Sequence, residues 1–137
     1  MIFVDASFFV ALLSARDDQH VRAQKAFEAF EGRRLRDLFL TTNNVVLETI
    51  TVTGRQGGNP LAVEVGELLY TEKLARIYRT TAEDELAALA YRKQHLDKRY
   101  SAVDCLSFVV MLKHGIHEVL AFDRRDFAHR FVVLPPK

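Results

Sequence analysis

The sequence predicts an α/β fold: a three-layer α/β/α sandwich with a central, mainly parallel sheet of about five strands. Short apolar runs, beginning with residues 2–4, alternate with longer segments of helical periodicity. This alternation is typical of parallel sheets covered by helices on both faces. The chain of 137 residues has the usual length of one domain, and no repeat or low-complexity segment divides it. We therefore predict a single domain over residues 1–137.

The first half of the chain should form strands at residues 2–4 and 38–41, and helices at residues 8–15, 17–31, 43–55 and 60–71. Ser7 is a favoured capping residue in front of the first helix. Ala23 and Phe27 belong to a set of apolar residues that recur at helical spacing in the second. Glycines and a proline within residues 56–60 predict the clearest turn of the chain.

The second half should form strands at residues 74–78, 118–122 and 131–134, and helices at residues 81–96, 101–114 and 124–129. Thr81 and Asp84 have the spacing of a capping box, with aspartate at the usual glutamate position. Gly115 supplies a left-handed end to the helix before the fourth strand. Pro135 and Pro136 end the last strand.

Composition excludes several classes of protein. A net charge of +1 lacks the strongly basic footprint of many nucleic-acid-binding domains, so RNA or DNA would have to be bound through a local patch or metal ions. The single Cys105 rules out an internal disulfide and fits a reducing compartment. No apolar run approaches the about 18 residues that span a bilayer, and no basic leader is visible. We therefore expect a cytoplasmic protein without membrane contact.

Four carboxylates occupy informative positions. Asp5 and Asp123 directly follow the first and fourth predicted strands, and ligands of open parallel sheets bind outside the carboxyl ends of the strands. Glu48 and Asp104 lie within apolar runs, where a buried charge is unfavourable unless it is paired or bound to a cation. Like charges raise one another's pKa, and a hard divalent cation with oxygen ligands would remove that penalty.

Such a set of acids is suited to phosphodiester chemistry. Mg²⁺ keeps several waters and takes only about one or two protein carboxylates, which leaves room for a substrate phosphate. Two ions about 3.5–4 Å apart would stabilise the attacking and leaving oxygens of a phosphodiester displacement. We therefore interpret the four acids as candidate metal ligands of a nuclease. Arg124 and Arg125, beside the last acid, are candidates to position the substrate phosphates.

The motifs VDAS at 4–7, LE at 47–48, SAVD at 101–104 and AFDRRDF at 121–127 together resemble a PIN domain. They are most similar to the VapC-type toxins of bacterial and archaeal toxin–antitoxin pairs. The resemblance covers essentially the whole chain. It implies a Mg²⁺- or Mn²⁺-dependent endoribonuclease that cuts RNA, forms homodimers and is inhibited by a small cognate antitoxin protein.

The resemblance also assigns site residues by position. Asp5, Glu48 and Asp104 match the first three acids of the family. The fourth is ambiguous between Asp123 and Asp126, and Asp123 is favoured because it is nearest to the strand end. In addition, Ser7 matches a small hydroxyl residue that orients the site, and Ala121 replaces a frequent threonine, which removes one hydroxyl contact.

Other interpretations remain open at this stage. Each acid alone has an ordinary structural explanation, such as a helix cap for Asp5 or a first-turn residue for Asp104. Such explanations account less well for all four acids together. The main alternative is a PIN-like module that binds RNA or protein without nuclease activity. A phosphotransfer receiver would need a late lysine, but Lys113 precedes the fourth predicted strand. His114 and His117 lack the helical spacing of a zinc pair.

Overall fold

The structure, a computed structural model, describes residues 1–137 and contains five strands and eight helices. The strands are β1 (Ile2–Val4), β2 (Phe39–Thr42), β3 (Arg76–Tyr78), β4 (Glu118–Leu120) and β5 (Val132–Leu134). All neighbouring strands run parallel, in the order β3-β2-β1-β4-β5. The predicted α/β class with a parallel sheet of five strands is confirmed.

Most of the helices connect successive strands. They are α1 (Ala6–Leu13), α2 (His20–Glu28), α3 (Leu35–Leu38), α4 (Asn43–Gly57), α5 (Asn59–Tyr70), α6 (Ala82–Lys93), α7 (Ala102–Lys113) and α8 (Arg124–Phe127). Helix α1 packs on α2 and α4, α4 packs on α5, and α6 packs on α7. None of the helices is long and apolar enough to cross a membrane.

The strand order places a reversal at the centre of the sheet. The chain moves outward from β1 to β2 and β3, then returns to the other side of β1 for β4 and β5. Crossovers between parallel strands are right-handed in nearly all proteins. Opposite directions of travel therefore put the helices from α1 to α5 on one face and α6 with α7 on the other. The crevice beyond the carboxyl ends of β1 and β4 is the expected ligand site.

A closely packed core holds β1 in place. Every residue of β1 and β2 is buried, as expected for strands covered on both faces. Phe3, Phe8 and Phe108 have no exposed surface, and burying one such ring contributes roughly 2–3 kcal/mol. Because β1 pairs with a strand on each side, the residue that follows it, Asp5, has a defined position at the carboxyl end of the strands.

Several helix ends differ from the prediction; α2, for example, spans His20–Glu28 rather than residues 17–31. Two of the differences have a clear local cause. Asp5, rather than Ser7, caps α1, because its carboxylate accepts a hydrogen bond from the Ser7 backbone N–H at 3.1 Å; aspartate caps helices as well as serine does. Helix α4 continues through Gly57, so that Gly58, with φ of 87°, alone separates it from α5. The short helix α3 was not predicted, and its last residue, Leu38, was assigned to the second strand instead.

Two local predictions are confirmed. Thr81 and Asp84 form the predicted capping box at the start of α6. Gly115 has a positive φ of 65° after α7, the left-handed conformation that glycine adopts at little steric cost. These signals are local, which is why the sequence alone reveals them.

Candidate active site

A cavity of about 480 Å³ opens beyond the carboxyl ends of the central strands. Four predicted acids line it, and each comes from a different part of the fold: Asp5 after β1, Glu48 on α4, Asp104 on α7 and Asp123 before α8. The fold thus brings together carboxylates that are far apart in the sequence. This arrangement is the main feature of the site.

Asp5 and Ser7 join the ends of β1 and β4 at this cavity. The Ser7 hydroxyl donates to Asp5 Oδ2 at 2.6 Å. It also accepts from the backbone N–H groups of Phe122 at 3.0 Å and Asp123 at 3.3 Å. The Phe122 ring in turn stacks on Phe8 of α1, with centroids 5.7 Å apart. One hydroxyl therefore ties the segment after β4 to Asp5, which supports the orienting role predicted for Ser7.

Burial makes Asp5 difficult to ionise. The residue is 6% exposed, and loss of hydration is the main reason that its pKa rises from 3.8 to about 7. Two hydrogen bonds from Ser7 oppose this rise, whereas the nearby charges of Glu48 and Asp104 add to it. In the absence of a cation, Asp5 therefore keeps its proton to a higher pH than an exposed aspartate does.

The other acids repel one another across the cavity. Partial burial is the largest cause of the raised pKa of Glu48, followed by the negative charges of Asp104 and Asp123. Partial burial is the largest cause of the raised pKa of Asp123, followed by the charges of Asp104 and Asp17. Asp104 is held by a capping box, in which its Oδ2 accepts from the Ser101 N–H and its own N–H donates to the Ser101 hydroxyl, both at 3.0 Å. The chain thus holds these negative charges near one another even though they repel.

Asp126 occupies a different place. It is half-buried and does not line the cavity. Burial is the main cause of its raised pKa, followed by the charges of Asp104 and Asp123. Asp126 is therefore close to the site but outside it, and Asp123 fits the fourth position better.

The contacts of Arg124 do not favour its predicted role in substrate positioning. Its guanidinium Nη1 donates to the Pro135 carbonyl at 2.6 Å and to the Val133 carbonyl at 3.3 Å. Arg124 therefore holds the C-terminal strand and does not line the cavity. Arg125 is exposed and also lies outside the lining residues; its proposed contact with substrate stays a prediction.

One wall of the cavity was not predicted. The connection between α1 and α2 contributes Arg16, Asp17, Asp18 and Gln19, and the end of α4 contributes Gln56. In the sequence, Asp17 and Asp18 resembled only the start of a helix. Their place at the site depends on how α1 packs against α4, and no local pattern reports that contact.

The donor set fits a hard divalent cation. The cavity has carboxylate oxygens but no histidine or cysteine, which matches the preference of Mg²⁺ and Mn²⁺ for oxygen ligands. No three acidic, histidine or cysteine side chains are arranged to hold one ion by themselves. Mg²⁺ does not require such a cage, because it keeps several waters and uses about one or two carboxylates. Asp5, Glu48, Asp104 and Asp123 would be the residues that hold it.

The raised pKa of Asp5 predicts how stability depends on pH without metal. Between about pH 4 and 7 the folded chain keeps a proton on Asp5 that the unfolded chain has released, so the free energy of unfolding falls as pH rises. Asp5→Asn removes this penalty and can still cap α1. We expect the variant to be more stable than the wild type by roughly 2–4 kcal/mol at pH 8, and equally stable near pH 4. Urea denaturation of both proteins at pH 4 and pH 8, in the presence of a chelator, measures these free energies of unfolding.

Glu64→Gln, on an exposed part of α5 outside the cavity, is the matched control and should show no such gain. The pKa values of Glu48 and Asp123 are also raised. The stability of the Asp5→Asn variant should therefore still depend on pH, but less than that of the wild type. Equal stability of variant and wild type at pH 8 would contradict the buried, destabilising charge.

Comparison with known proteins agrees with this geometry. The model of the PIN domain family matches residues 2–130. The chain is 34% identical over 137 residues to the 23S rRNA-specific endonuclease VapC20 of Mycobacterium tuberculosis, and the match covers all of both chains. The crystal structure of that VapC20, described as a sarcin–ricin loop cleaving toxin, superposes with a TM-score of 0.85 and 33% identity over 96% of this chain and 97% of the other. The chain therefore belongs to the PIN domain family.

Proposed function

We propose that this protein is a metal-dependent endoribonuclease that hydrolyses RNA phosphodiester bonds and is the toxin of a toxin–antitoxin pair. The observation that carries the proposal is the convergence of four carboxylates on one cavity at the strand reversal. Its full-length similarity to an endonuclease toxin supports the same conclusion. A module that only binds RNA has no physical reason to hold mutually repelling acids together.

Ribosomal RNA is the substrate class that we propose. The relative of matching length is named for cleavage of 23S rRNA, and its crystal structure for cleavage of the sarcin–ricin loop. At 34% identity over the whole chain, a similar substrate is the simplest expectation. Such a substrate would place the reaction in the cytoplasm.

The residues of the site divide into two kinds. Asp5 and Asp104 would be the main ligands of Mg²⁺ or Mn²⁺, and Glu48 and Asp123 would complete the site or bind the waters of a second ion. When bound, a divalent cation neutralises phosphate charge and lowers the pKa of water near the reacting bond. Ser7 keeps the Asp5 carboxylate and the Asp123 backbone in register, so that the acids meet the phosphate in one fixed geometry.

Partners of the protein would bind apolar surface. Val21 on α2 is 75% exposed, and Val63 and Tyr70 on α5 are 58% and 45% exposed. Leu86 and Leu89 on α6 are 68% and 66% exposed. We propose that such side chains are covered in a homodimer and by the cognate antitoxin, since neighbouring exposed apolar residues often mark protein interfaces.

Asp5→Asn should abolish RNA cleavage while leaving the fold intact. The variant loses the buried ligand charge but keeps a side chain that can accept the Ser7 hydrogen bonds. We expect the cleavage rate on purified ribosomal RNA with Mg²⁺ or Mn²⁺ to fall about a thousandfold, with an unchanged circular dichroism spectrum. A chelator should stop the wild-type enzyme, and added cation should restore it. Cleavage at the wild-type rate by Asp5→Asn would exclude the proposed site.

Asp123→Asn and Asp126→Asn should differ in their effect on cleavage. Asp123 lines the cavity and Asp126 does not, so we expect a loss of roughly two orders of magnitude for the first and only a few-fold loss for the second. The comparison uses steady-state rates on the same RNA. A larger loss for Asp126→Asn would reverse the assignment of the fourth acid.

A further inference from the structure

Arg16 is in an unusual electrostatic position. Six carboxylates line the cavity, from Asp5, Asp17, Asp18, Glu48, Asp104 and Asp123, and Arg16 is the one lysine or arginine among the lining residues. It is exposed and forms no ion pair; the four ion pairs of the structure involve Arg34, Arg76, Lys98 and Lys113. Its guanidinium donates no hydrogen bond to the protein and is therefore available to an anion.

The backbone that carries Arg16 is held in place by neighbours on both sides. The buried Ser14 donates through its hydroxyl to Gln56 Oε1 at 2.6 Å, and Gln56 Nε2 donates to Asp17 Oδ2 at 3.1 Å. The other oxygen of Asp17 accepts from the Gln19 N–H at 2.9 Å. These bonds attach the connection between α1 and α2 to the end of α4. Arg16 consequently starts from an ordered backbone at the cavity wall.

The negative charge of the cavity would repel RNA, and Arg16 would reduce this repulsion. RNA is a polyanion, and the lining carries far more negative than positive charge. Cations bound to the acids would neutralise the phosphate that reacts, but phosphates on either side of it would also lie near the acidic lining. An arginine fork donates two parallel hydrogen bonds to a phosphate. Arg124 cannot serve, because it binds the carbonyls of Val133 and Pro135.

We propose that Arg16 is a substrate-binding residue that contacts an RNA phosphate next to the cleaved bond, presented by the Ser14–Gln56–Asp17 hydrogen bonds. This inference rests on the proposed ribonuclease function. Arg16 lies between α1 and α2, on a different wall of the cavity from the four acids. The phosphate contact would add affinity that does not depend on base identity.

The test compares Arg16→Gln with wild type in cleavage of a labelled RNA hairpin that carries the sarcin–ricin loop sequence, with Mn²⁺ at several salt concentrations. We expect KM to rise about tenfold with kcat changed far less, because a charge-assisted bond to substrate is lost. The dependence of log(kcat/KM) on log salt should weaken by about 0.7–0.9, the value of one phosphate contact. Arg16→Lys should restore the salt dependence and part of the affinity.

The matched control is Arg33→Gln. Arg33 is also exposed and unpaired, but it precedes β2 and so lies toward the amino-terminal edge of the sheet, away from the cavity. It should leave KM and the salt dependence unchanged. The same result for Arg16→Gln would overturn the proposal while leaving the ribonuclease function standing.

Binding without cleavage keeps the two proposals separate. In the Asp5→Asn background, fluorescence anisotropy with the same hairpin should show about tenfold weaker binding and a weaker salt dependence when Arg16→Gln is added. If wild-type protein leaves RNA intact, the ribonuclease proposal fails, and this binding comparison still decides the role of Arg16. Equal RNA affinity and equal salt dependence with and without Arg16→Gln would refute the proposed role of Arg16.

Discussion

Repulsion between carboxylates is the constraint on which the rest of the site depends. Asp5, Glu48, Asp104 and Asp123 line one cavity, and three of them have raised pKa values to which neighbouring acids contribute after burial. Without a cation, such a cluster lowers the free energy of unfolding as pH rises from about 4 to 7. We propose that binding of a divalent cation compensates for this repulsion, because a hard cation with oxygen ligands neutralises clustered carboxylates.

The scaffold resists this repulsion with short-range contacts. Asp5 caps α1 and accepts from Ser7, whose hydroxyl also accepts from the backbone N–H groups that follow β4. Asp104 belongs to the capping box of α7 with Ser101. Two of the acids are therefore helix-end residues as well as candidate ligands. Their structural and chemical roles, which looked like alternatives in the sequence, are compatible in the fold.

The sequence predicted what strand order alone determines. Acids placed after β1 and β4 must meet at the reversal of a parallel sheet, so the meeting of Asp5 and Asp123 could be predicted from the sequence. Arg124 does not line the cavity and binds the last strand instead, because adjacency to Asp123 along the chain does not fix the direction of a side chain. Arg16 and Gln56 were missed because their place depends on a contact between α1 and α4, which no local pattern records.

Calorimetric titration with Mn²⁺ at pH 6.5, in two buffers of different ionisation enthalpy, tests the central claim most directly. Because the pKa of Asp5 is about 7 without metal, we expect wild-type protein to bind the ion and release a proton as it does so. Asp104→Asn should bind far more weakly, and Asp5→Asn should release fewer protons. No detectable uptake by the wild type, or uptake unaffected by both substitutions, would contradict a cation site built from these acids.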